Sequence, residues 1–302
     1  MEHSTTTIEK TDRGLAATAA AFVMLTKPRI IELLLITTVP SMIVAKGGMP
    51  DLWLVLVTVA GGTLAAGGAN TFNMYIDRDI DRLMKRTQGR PLVTGAVSPR
   101  AALLFGFALE ITAFVLFVTW VNLLAGLLAV GACLFYVFVY SLWLKRTSKQ
   151  NIVIGGAAGA APALIGWAAV TGSLALSPIL LFAIIFFWTP PHFWALALLM
   201  RDDYAKAGVP MMPVVVGDVA TMRSILLYSV MLVALTLLFV APVSSLGVVY
   251  FISASVLGIG LVGFAVTLVR RGTPSSALRL YKYSILYLAL LFAAIMADAS
   301  LA

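Results

Sequence analysis

The chain has 302 residues, of which 61% are hydrophobic and 11% are charged, and its formal net charge at pH 7 is +8. Soluble domains carry about 25% charged residues, so this composition excludes a soluble globular protein and indicates an integral membrane protein. The one cysteine, Cys133, excludes a disulfide framework and a cysteine-rich metal site. The basic residues form no stripe with interleaved aromatic residues, so we expect no nucleic-acid partner.

The first 26 residues are polar and then weakly apolar, and acidic residues are mixed among the basic ones. No signal-peptide pattern with a cleavage site stands out before the first long apolar run. We therefore predict a cytoplasmic tail over residues 1–26, with residues 15–25 as a candidate interfacial helix. A single transmembrane domain is expected over residues 27–302.

Nine apolar segments are long enough, or nearly so, to span a bilayer core of about 30 Å. If the N-terminus is cytoplasmic, the inner segments contain every lysine and arginine of the chain except Lys46. This bias predicts an all-α, multi-pass protein of the cell inner membrane with nine transmembrane helices, the N-terminus cytoplasmic and the C-terminus outside. The spans cover residues 28–46, 52–76, 100–120, 123–144, 151–172, 178–199, 222–241, 247–269 and 280–299.

Two long polar loops, residues 77–99 and 200–221, fall on the cytoplasmic side in this topology. Each follows a span and carries both acidic and basic residues, and the two spans are four apart in the chain. This weak similarity between the two regions favours two four-helix halves around a central cavity that opens to the cytoplasmic side, with the ninth helix packed outside. We expect the functional residues at that end of the helices.

The first of these loops begins with the most polar stretch of the chain, ANTFNMYIDRDIDRLMKRTQGRPLVT, residues 69–94. Asn73, Asp77 and Asp81 are spaced by four, and four helical residues drift by only about 40°, so the three side chains share one helix face. Carboxylates crowded on one face repel one another unless a cation lies between them. Mg²⁺ is usually bound by one or two carboxylates together with substrate phosphates. The alternative is a charged loop whose acids balance nearby arginines.

The second polar loop follows the span ILLFAIIFFWTPPHFWALALL. Pro190 and Pro191 interrupt its hydrogen bonds and predict a kink, and His192 follows within the membrane, where an ionisable residue is a functional candidate. A histidine bonded to a carbonyl group freed by the prolines is the alternative. Asp202 and Asp203 point about 100° apart on a helix, so at most one joins a shared metal directly, and an ordinary solvated helix end also fits them.

Basic residues beside the aspartate face indicate a diphosphate pocket, since arginine makes forked contacts with phosphate and lysine supplies a point charge. Each of them alone also fits a positive-inside anchor. The polar Asn151, at the start of the fifth span, is a further candidate. The basic candidates are Lys85, Arg86, Arg90, Lys145 and Arg146.

These motifs resemble the UbiA-type intramembrane prenyltransferase superfamily, which includes 4-hydroxybenzoate polyprenyltransferase and chlorophyll synthase. Asn73, Asp77 and Asp81 match its N-x-x-x-D-x-x-x-D motif, and KRTQGRPLVTG matches its basic loop. Quinone-type members carry a further aspartate within the sixth span, where this chain has WTPPHFWALALLMRDDYAKAGVPMMP. With YSLWLKRTSKQNIVIGGAAGAAP, that region resembles the heme O synthases, or protoheme IX farnesyltransferases, and the resemblance covers nearly all of residues 20–300.

The resemblance implies transfer of a farnesyl group from farnesyl diphosphate to a vinyl group of heme B (protoheme IX), with addition of water, to give heme O. Mg²⁺ is the implied cofactor, and the implied partners are the two substrates, membrane lipid, and heme A synthase or a terminal oxidase pathway. Implied catalytic residues are Asn73, Asp77, Asp81 and His192, and implied metal ligands are Asp77, Asp81, Asp202 and Asp203. Implied substrate-binding residues are Lys85, Arg86, Arg90, Tyr140, Lys145, Arg146, Asn151, Arg201 and Tyr204.

Three other functions remain open from the sequence. Prenylation of an aromatic quinone precursor would use the same aspartate face but lacks the aspartate within the sixth span. A transporter would use a kinked helix and intramembrane ionisable residues; against it, the polar groups cluster at one membrane face, with Glu32 near the inner end of the first span and Glu110 in the middle of the third as the exceptions. A structural assembly factor for a heme oxidase would leave the aspartate face unused.

Overall fold

The computed structural model describes residues 14–241 and 246–301, and within these residues every regular element is a helix. A π-helix, Phe135–Leu144, lies between α6 and α7 and continues them as one rod. The helices are α1 Leu15–Thr26, α2 Pro28–Lys46, α3 Leu52–Ile76, α4 Arg78–Leu83, α5 Pro99–Trp120, α6 Leu123–Leu134, α7 Lys145–Thr147, α8 Asn151–Thr171, α9 Leu176–Leu199, α10 Arg201–Lys206, α11 Met212–Val216, α12 Asp218–Leu238, α13 Val248–Arg271 and α14 Pro274–Leu301.

Eight rods in the described part of the chain are long and apolar enough to cross a bilayer: α3, α5, the α6–π–α7 rod, α8, α9, α12, α13 and α14. Helix α2 has 19 residues, of which Ile36–Lys46 form a shorter apolar part, and the side chains of Arg29 and Glu32 lie outside the described residues. The predicted all-α, multi-pass membrane fold is confirmed. The count of nine spans and the cytoplasmic opening stay predictions.

The start of the described chain is a packed helix. Helix α1 covers nearly the same residues as the candidate interfacial helix, and it buries Ala21 and Leu25 in a cluster with Met74 of α3 and with Leu92 and Val97. The α1–α2 turn is thereby held against the end of α3 that bears the aspartates. The tail predicted over residues 1–13 lies outside the described residues.

Small residues let the helices approach closely, as is common in membrane bundles. Gly106 of α5 leaves room for the ring of Phe72 on α3, and Gly61 of α3 does the same for Phe117 of α5. Between α2 and α8 the contact involves backbone: Gly166 faces the carbonyl oxygen of Thr38, and the Ser41 hydroxyl donates a 2.5 Å hydrogen bond to the Ala163 carbonyl oxygen.

The last helix is not peripheral, contrary to the expectation that the ninth helix packs outside two four-helix halves. Helix α14 packs against α2, α9 and α13, and it contributes fully buried side chains at Tyr287, Leu291 and Phe292. Near its end, Asp298 accepts hydrogen bonds from the backbone amides of Gly247 (2.5 Å) and Tyr250 (3.0 Å) and so caps the N-terminus of α13. Helix α14 therefore closes the bundle.

The close α2–α8 contact gives a test of the packing. In Gly166→Ala the new Cβ collides with the Thr38 carbonyl oxygen, which cannot rotate away, so we expect a loss of about 1–3 kcal/mol and a lower Tm in detergent. Gly159→Ala, in the same helix, adds a Cβ with no atom within 4 Å and should leave the Tm unchanged or raise it, because alanine favours the helix by about 1 kcal/mol. Equal Tm values for both variants would contradict this packing.

Candidate active site

The three residues of the aspartate face stay aligned although α3 and α4 are separate helices. The backbone amide of Asp77 donates to the Asn73 carbonyl oxygen (2.9 Å), and that of Asp81 donates to the Asp77 carbonyl oxygen (2.8 Å). The helical i to i+4 pattern thus continues through the break. All three side chains are buried, with 0% of Asp77, 2% of Asp81 and 3% of Asn73 exposed.

The Asp77 carboxylate is held by two donors on one oxygen. The Asn73 side-chain amide donates to Asp77 Oδ2 (2.9 Å), and the Lys145 ammonium group forms a short ion pair with the same oxygen. Asp77 Oδ1 is buried and has no hydrogen-bond partner among the described residues. One carboxylate oxygen is therefore compensated, and the other is left as an acceptor for a ligand.

Asp81 is paired with an arginine from the loop that follows it. Nη1 of Arg90 lies 2.7 and 2.6 Å from the two carboxylate oxygens of Asp81. The Thr87 hydroxyl donates to the Asp81 carbonyl oxygen (2.9 Å), which fixes the start of this loop. The loop thus folds back over the aspartate face and brings one of its predicted phosphate ligands to it.

Asp79 lies outside the aspartate face, as the helical spacing predicts, and Arg146 is joined to it. The guanidinium of Arg146 makes two 2.7 Å hydrogen bonds to the Asp79 carboxylate and a third, of 3.0 Å, to the Ile76 carbonyl oxygen. Arg146 holds the pKa of Asp79 well below its usual range. The Asp79 side chain is 63% exposed, so this pair positions the end of the rod rather than lining the buried site.

A lysine that the sequence analysis did not assign to the site enters it from the α1–α2 turn. Lys27 Nζ donates a 2.6 Å hydrogen bond to Asn73 Oδ1, and its backbone has a φ of 54°, in the left-handed region. Burial, reinforced by the positive charges of Arg90 and Lys145, lowers the pKa of Lys27 to about 7. The turn is anchored by Asn70, whose side-chain amide donates to the Thr26 carbonyl oxygen (2.9 Å). The only sequence signal was a lysine before Pro28 at the start of a span.

The π-helix forms a third side of the site. Its Ser141 hydroxyl donates to the Tyr136 carbonyl oxygen (2.9 Å) and accepts a 2.9 Å hydrogen bond from the Asn73 amide. Tyr136 and Tyr140 stack with ring centroids 5.3 Å apart, and Gly155 of α8 makes room for the Tyr140 ring. π-helical segments are rare and often occur at functional sites.

The second polar loop approaches the first through a tyrosine. Tyr204 is buried, and burial raises the pKa of its phenol while the positive charges of Arg86 and Arg90 oppose the rise. The loops after α3 and α9 are therefore close enough to interact electrostatically, although Lys85 and Arg86 have exposed side chains.

The acidic pair of that loop is less enclosed than the aspartate face. Asp202 is exposed and Asp203 is partly buried, and neither forms an ion pair within the described residues. Arg201 is exposed and lies 3.4 Å from the carboxylate of Asp218, outside the buried cluster. Their predicted substrate and metal contacts stay predictions.

Asn151 links the two sides of the site. It is fully buried, and its side-chain amide donates to the carbonyl oxygens of Ser148 (2.7 Å) and Pro210 (3.4 Å). Asn151 Oδ1 is buried without a hydrogen-bond partner in the described part of the chain.

His192 lies in an aromatic sandwich. Its ring stacks on Trp188 (4.3 Å between centroids) and on Tyr281 (4.7 Å), and Nδ1 lies 2.8 Å from the Ser284 hydroxyl. That hydroxyl donates to the Tyr281 carbonyl oxygen (2.7 Å), so Nδ1 carries the hydrogen and Nε2 keeps the lone pair. The partner of His192 is thus a serine of α14, not a carbonyl group freed by the prolines.

The donor set at the aspartate face fits Mg²⁺. The described residues contain no group of three His, Cys, Asp or Glu side chains that could hold a metal alone. Two carboxylates and one amide, with Asp77 Oδ1 unpartnered in the buried site, match a cation that takes only one or two protein carboxylates and its remaining ligands from phosphate and water.

A family model described as the UbiA prenyltransferase family matches residues 34–292. The chain belongs to this family. Among curated relatives of this prenyltransferase is a protoheme IX farnesyltransferase from Parafrankia sp. (strain EAN1pec), 53% identical over 94% of this chain and 91% of the relative. Another, also named protoheme IX farnesyltransferase and from Frankia alni, is 54% identical over 91% of this chain and 96% of the relative.

Solved structures show the same fold as this prenyltransferase. A structure described as digeranylgeranylglyceryl phosphate synthase in membranes has a TM-score of 0.78 at 20% identity and covers 94% of this chain and 99% of its own. A UbiA homolog from Archaeoglobus fulgidus bound to DMAPP and Mg²⁺ has a TM-score of 0.62 at 20% identity and covers 91% of this chain and 98% of its own.

Lys27 provides a test of the site geometry. Lys27→Met removes the hydrogen bond to Asn73 and leaves its Oδ1 buried without that donor, a loss of about 1–3 kcal/mol, so we expect kcat/KM for prenyl transfer to fall by about 5- to 100-fold. Lys149→Met, which removes an exposed lysine outside the buried cluster, is the matched control and should stay within about twofold of wild type. Wild-type kcat/KM in Lys27→Met would exclude Lys27 from the site.

Proposed function

We propose that this chain transfers the farnesyl group of farnesyl diphosphate to a vinyl group of protoheme IX (heme B), with addition of water, and so makes heme O. The observation that carries the proposal is the combination of the buried aspartate face with about 50% identity, over most of the chain, to relatives named protoheme IX farnesyltransferase. Family membership favours prenyl transfer over a transporter or an assembly factor, and the heme-specific relatives favour heme over an aromatic quinone precursor.

The reaction breaks the bond between farnesyl C1 and the diphosphate oxygen. Both bonding electrons leave with the diphosphate, and the allylic carbon is left electron-deficient. The π electrons of the vinyl group then form the new carbon–carbon bond, and the resulting cation takes up water and releases a proton. Catalysis therefore requires charge stabilisation on the leaving oxygens and exclusion of bulk water until the carbon–carbon bond has formed.

The residues of the aspartate face serve the leaving group. Mg²⁺, when bound, neutralises the charge that develops on the diphosphate oxygens. Asp77 and Asp81 are the proposed ligands, with Asn73 assisting through its bond to Asp77. The UbiA homolog from Archaeoglobus fulgidus that binds DMAPP and Mg²⁺ supports this chemistry in the same fold.

Lys145 and Arg90 pair with Asp77 and Asp81. Bound Mg²⁺ would supply the positive charge that these two side chains give the aspartates. Their ammonium and guanidinium groups would then be available to contact the diphosphate. Lys85 and Arg86, on the same loop as Arg90, would supply further positive charge. Tyr140, Asn151 and Tyr204 are proposed to line the path of the substrate to the aspartate face. Asp202 or Asp203 holds a second Mg²⁺ in this proposal.

His192 is proposed to orient the heme. With Nδ1 bonded to Ser284, the Nε2 lone pair suits an axial bond to heme iron, and the flanking Trp188 and Tyr281 rings hold the imidazole plane. Arg201, which is exposed and pairs with Asp218, stays a predicted substrate contact.

The protein is proposed to lie in the cell inner membrane with the aspartate end cytoplasmic. The positive-inside bias of Lys and Arg supports this orientation. The product is an intermediate for terminal oxidases, and association with heme A synthase or an oxidase pathway stays a prediction.

The direct test uses purified protein in lipid with heme B, farnesyl diphosphate and either Mg²⁺ or a chelator. We expect a porphyrin mass gain of farnesyl plus water that depends on Mg²⁺. Asp77→Asn and Asp81→Asn should each lower the rate by about 10²–10³, the usual effect of losing one electrostatic stabiliser. Asp79→Asn, which alters an exposed carboxylate two residues from both Asp77 and Asp81, should retain most of the activity.

Three results would contradict the proposal. A product formed equally well with chelator would remove the metal role, and wild-type rates in correctly inserted Asp77→Asn and Asp81→Asn would remove the aspartates. Prenylation of a hydroxybenzoate but not of heme would keep the aspartate site and exclude the heme assignment.

The heme role of His192 has its own readout. His192→Ala should weaken heme binding about tenfold or more and shift the Soret band, because an axial or orienting imidazole is lost. Ser284→Ala removes only the partner of Nδ1 and should have a smaller effect, since second-shell hydrogen bonds tune the ligand. An unchanged heme affinity and spectrum in His192→Ala would exclude the role.

A further inference from the structure

A basic cavity lies at the aspartate-bearing end of the bundle, apart from the proposed active site. Its volume is about 500 Å³, and it is formed where α13 ends and α14 begins. Two arginines line it, Arg271 and Arg279, together with the side chains of Thr267, Ser275 and Ser276 over an apolar wall at Phe264. No acidic side chain belongs to this lining.

A tight turn between the two helices places Arg271 and Arg279 on the same cavity. Helix α13 ends at Arg271, Gly272 follows with a φ of 61°, and α14 starts at Pro274. Thr273 and Ser276 exchange hydrogen bonds: the Thr273 amide donates to Ser276 Oγ (3.2 Å), and the Ser276 amide donates to Thr273 Oγ1 (3.3 Å). This reciprocal cap makes the turn rigid.

Neither arginine is neutralised within the described part of the chain. Arg271 and Arg279 appear in none of its ion pairs or side-chain hydrogen bonds. Asp218 lines a smaller neighbouring cavity that shares Thr273, and it already pairs with Arg201. Two guanidinium groups that share a cavity lining with hydroxyl side chains are suited to a phosphate group.

The surface beyond the arginines is apolar and exposed. Along α14, Tyr283, Leu286 and Leu290 follow Arg279 at intervals of four, three and four residues, which keeps them on one helix face. The side chains of Leu286 and Leu290 are 50% and 45% exposed, and the Tyr283 ring packs on Phe264 of the cavity wall (4.7 Å between centroids). A ligand with a phosphate head group and apolar chains would place its phosphate at the arginines and its chains along this apolar face.

We propose that the cavity between α13 and α14 binds the phosphate head group of an anionic phospholipid, with Arg271 and Arg279 as its ligands. Basic pockets between transmembrane helices on the cytoplasmic side bind such head groups. The site is separate from the diphosphate pocket, because it uses neither the aspartate face nor the loop of residues 84–94.

Native mass spectrometry of the full-length protein tests the proposal with phosphatidylglycerol, phosphatidylcholine and inorganic phosphate as probes. We expect wild type to bind phosphatidylglycerol about tenfold or more tightly than phosphatidylcholine and to lose this preference in R271Q/R279Q. The matched control is R270Q, which removes an exposed arginine of the same helix end that does not line the cavity, and its preference should equal that of wild type.

Several outcomes would overturn the proposal. One is an equal affinity of wild type for the two lipids; another is an unchanged preference in R271Q/R279Q. Competition by inorganic phosphate as effective as that by phosphatidylglycerol would identify a free-anion site and exclude the lipid. If the double variant does not fold, R279Q alone provides the comparison with R270Q, and an equal preference in these two would also contradict the assignment.

Discussion

Two carboxylates buried at the end of an apolar bundle set the constraint on which this structure depends. Asp77 and Asp81 are almost completely enclosed, and an ionised carboxylate removed from water without a partner costs several kcal/mol. Lys145 and Arg90 supply the compensating charge from different segments of the chain. Because each pair is buried, removal of one partner leaves an uncompensated charge. In the proposed reaction, Mg²⁺ and the diphosphate would take over this compensation.

Other segments of the chain place the polar and charged partners beside the aspartate face. The π-helix brings Ser141 to Asn73 and is followed at once by Lys145. The α1–α2 turn, tied to α3 by Asn70, delivers Lys27 from the other side. The loop that carries Arg90 is held at its start by a hydrogen bond to the Asp81 carbonyl oxygen. Three segments therefore converge on one helix face, two of them far from it in sequence, which explains why small residues and close helix contacts matter for function as well as for stability.

Helical periodicity was sufficient to place Asn73, Asp77 and Asp81 on one face, because local geometry decides it; the all-α membrane fold followed from composition and apolar segment length. Contacts between distant segments could not be read in the same way. Lys27 looked like an ordinary inner-face lysine, and nothing in a run of aromatic residues distinguishes a π-helix from an α-helix. Glu110 was the acid that spacing explained least, and the structure places it against Gly68, where an added Cβ would lie 2.8 Å from its side chain.

The central claim is that the unpartnered oxygen of the aspartate face is a metal position and that Lys145 moves to phosphate when the metal binds. A crystal structure with Mn²⁺ and a non-reactive farnesyl thiodiphosphate tests both parts: the anomalous signal locates the metal, and the electron density shows the Lys145 side chain. The account predicts a metal peak within about 2–2.3 Å of Asp77 Oδ1, close to the distance typical of Mg²⁺, with the Lys145 ammonium on the diphosphate. A peak remote from Asp77, with the Asp77–Lys145 pair intact and the diphosphate bound elsewhere, would contradict it.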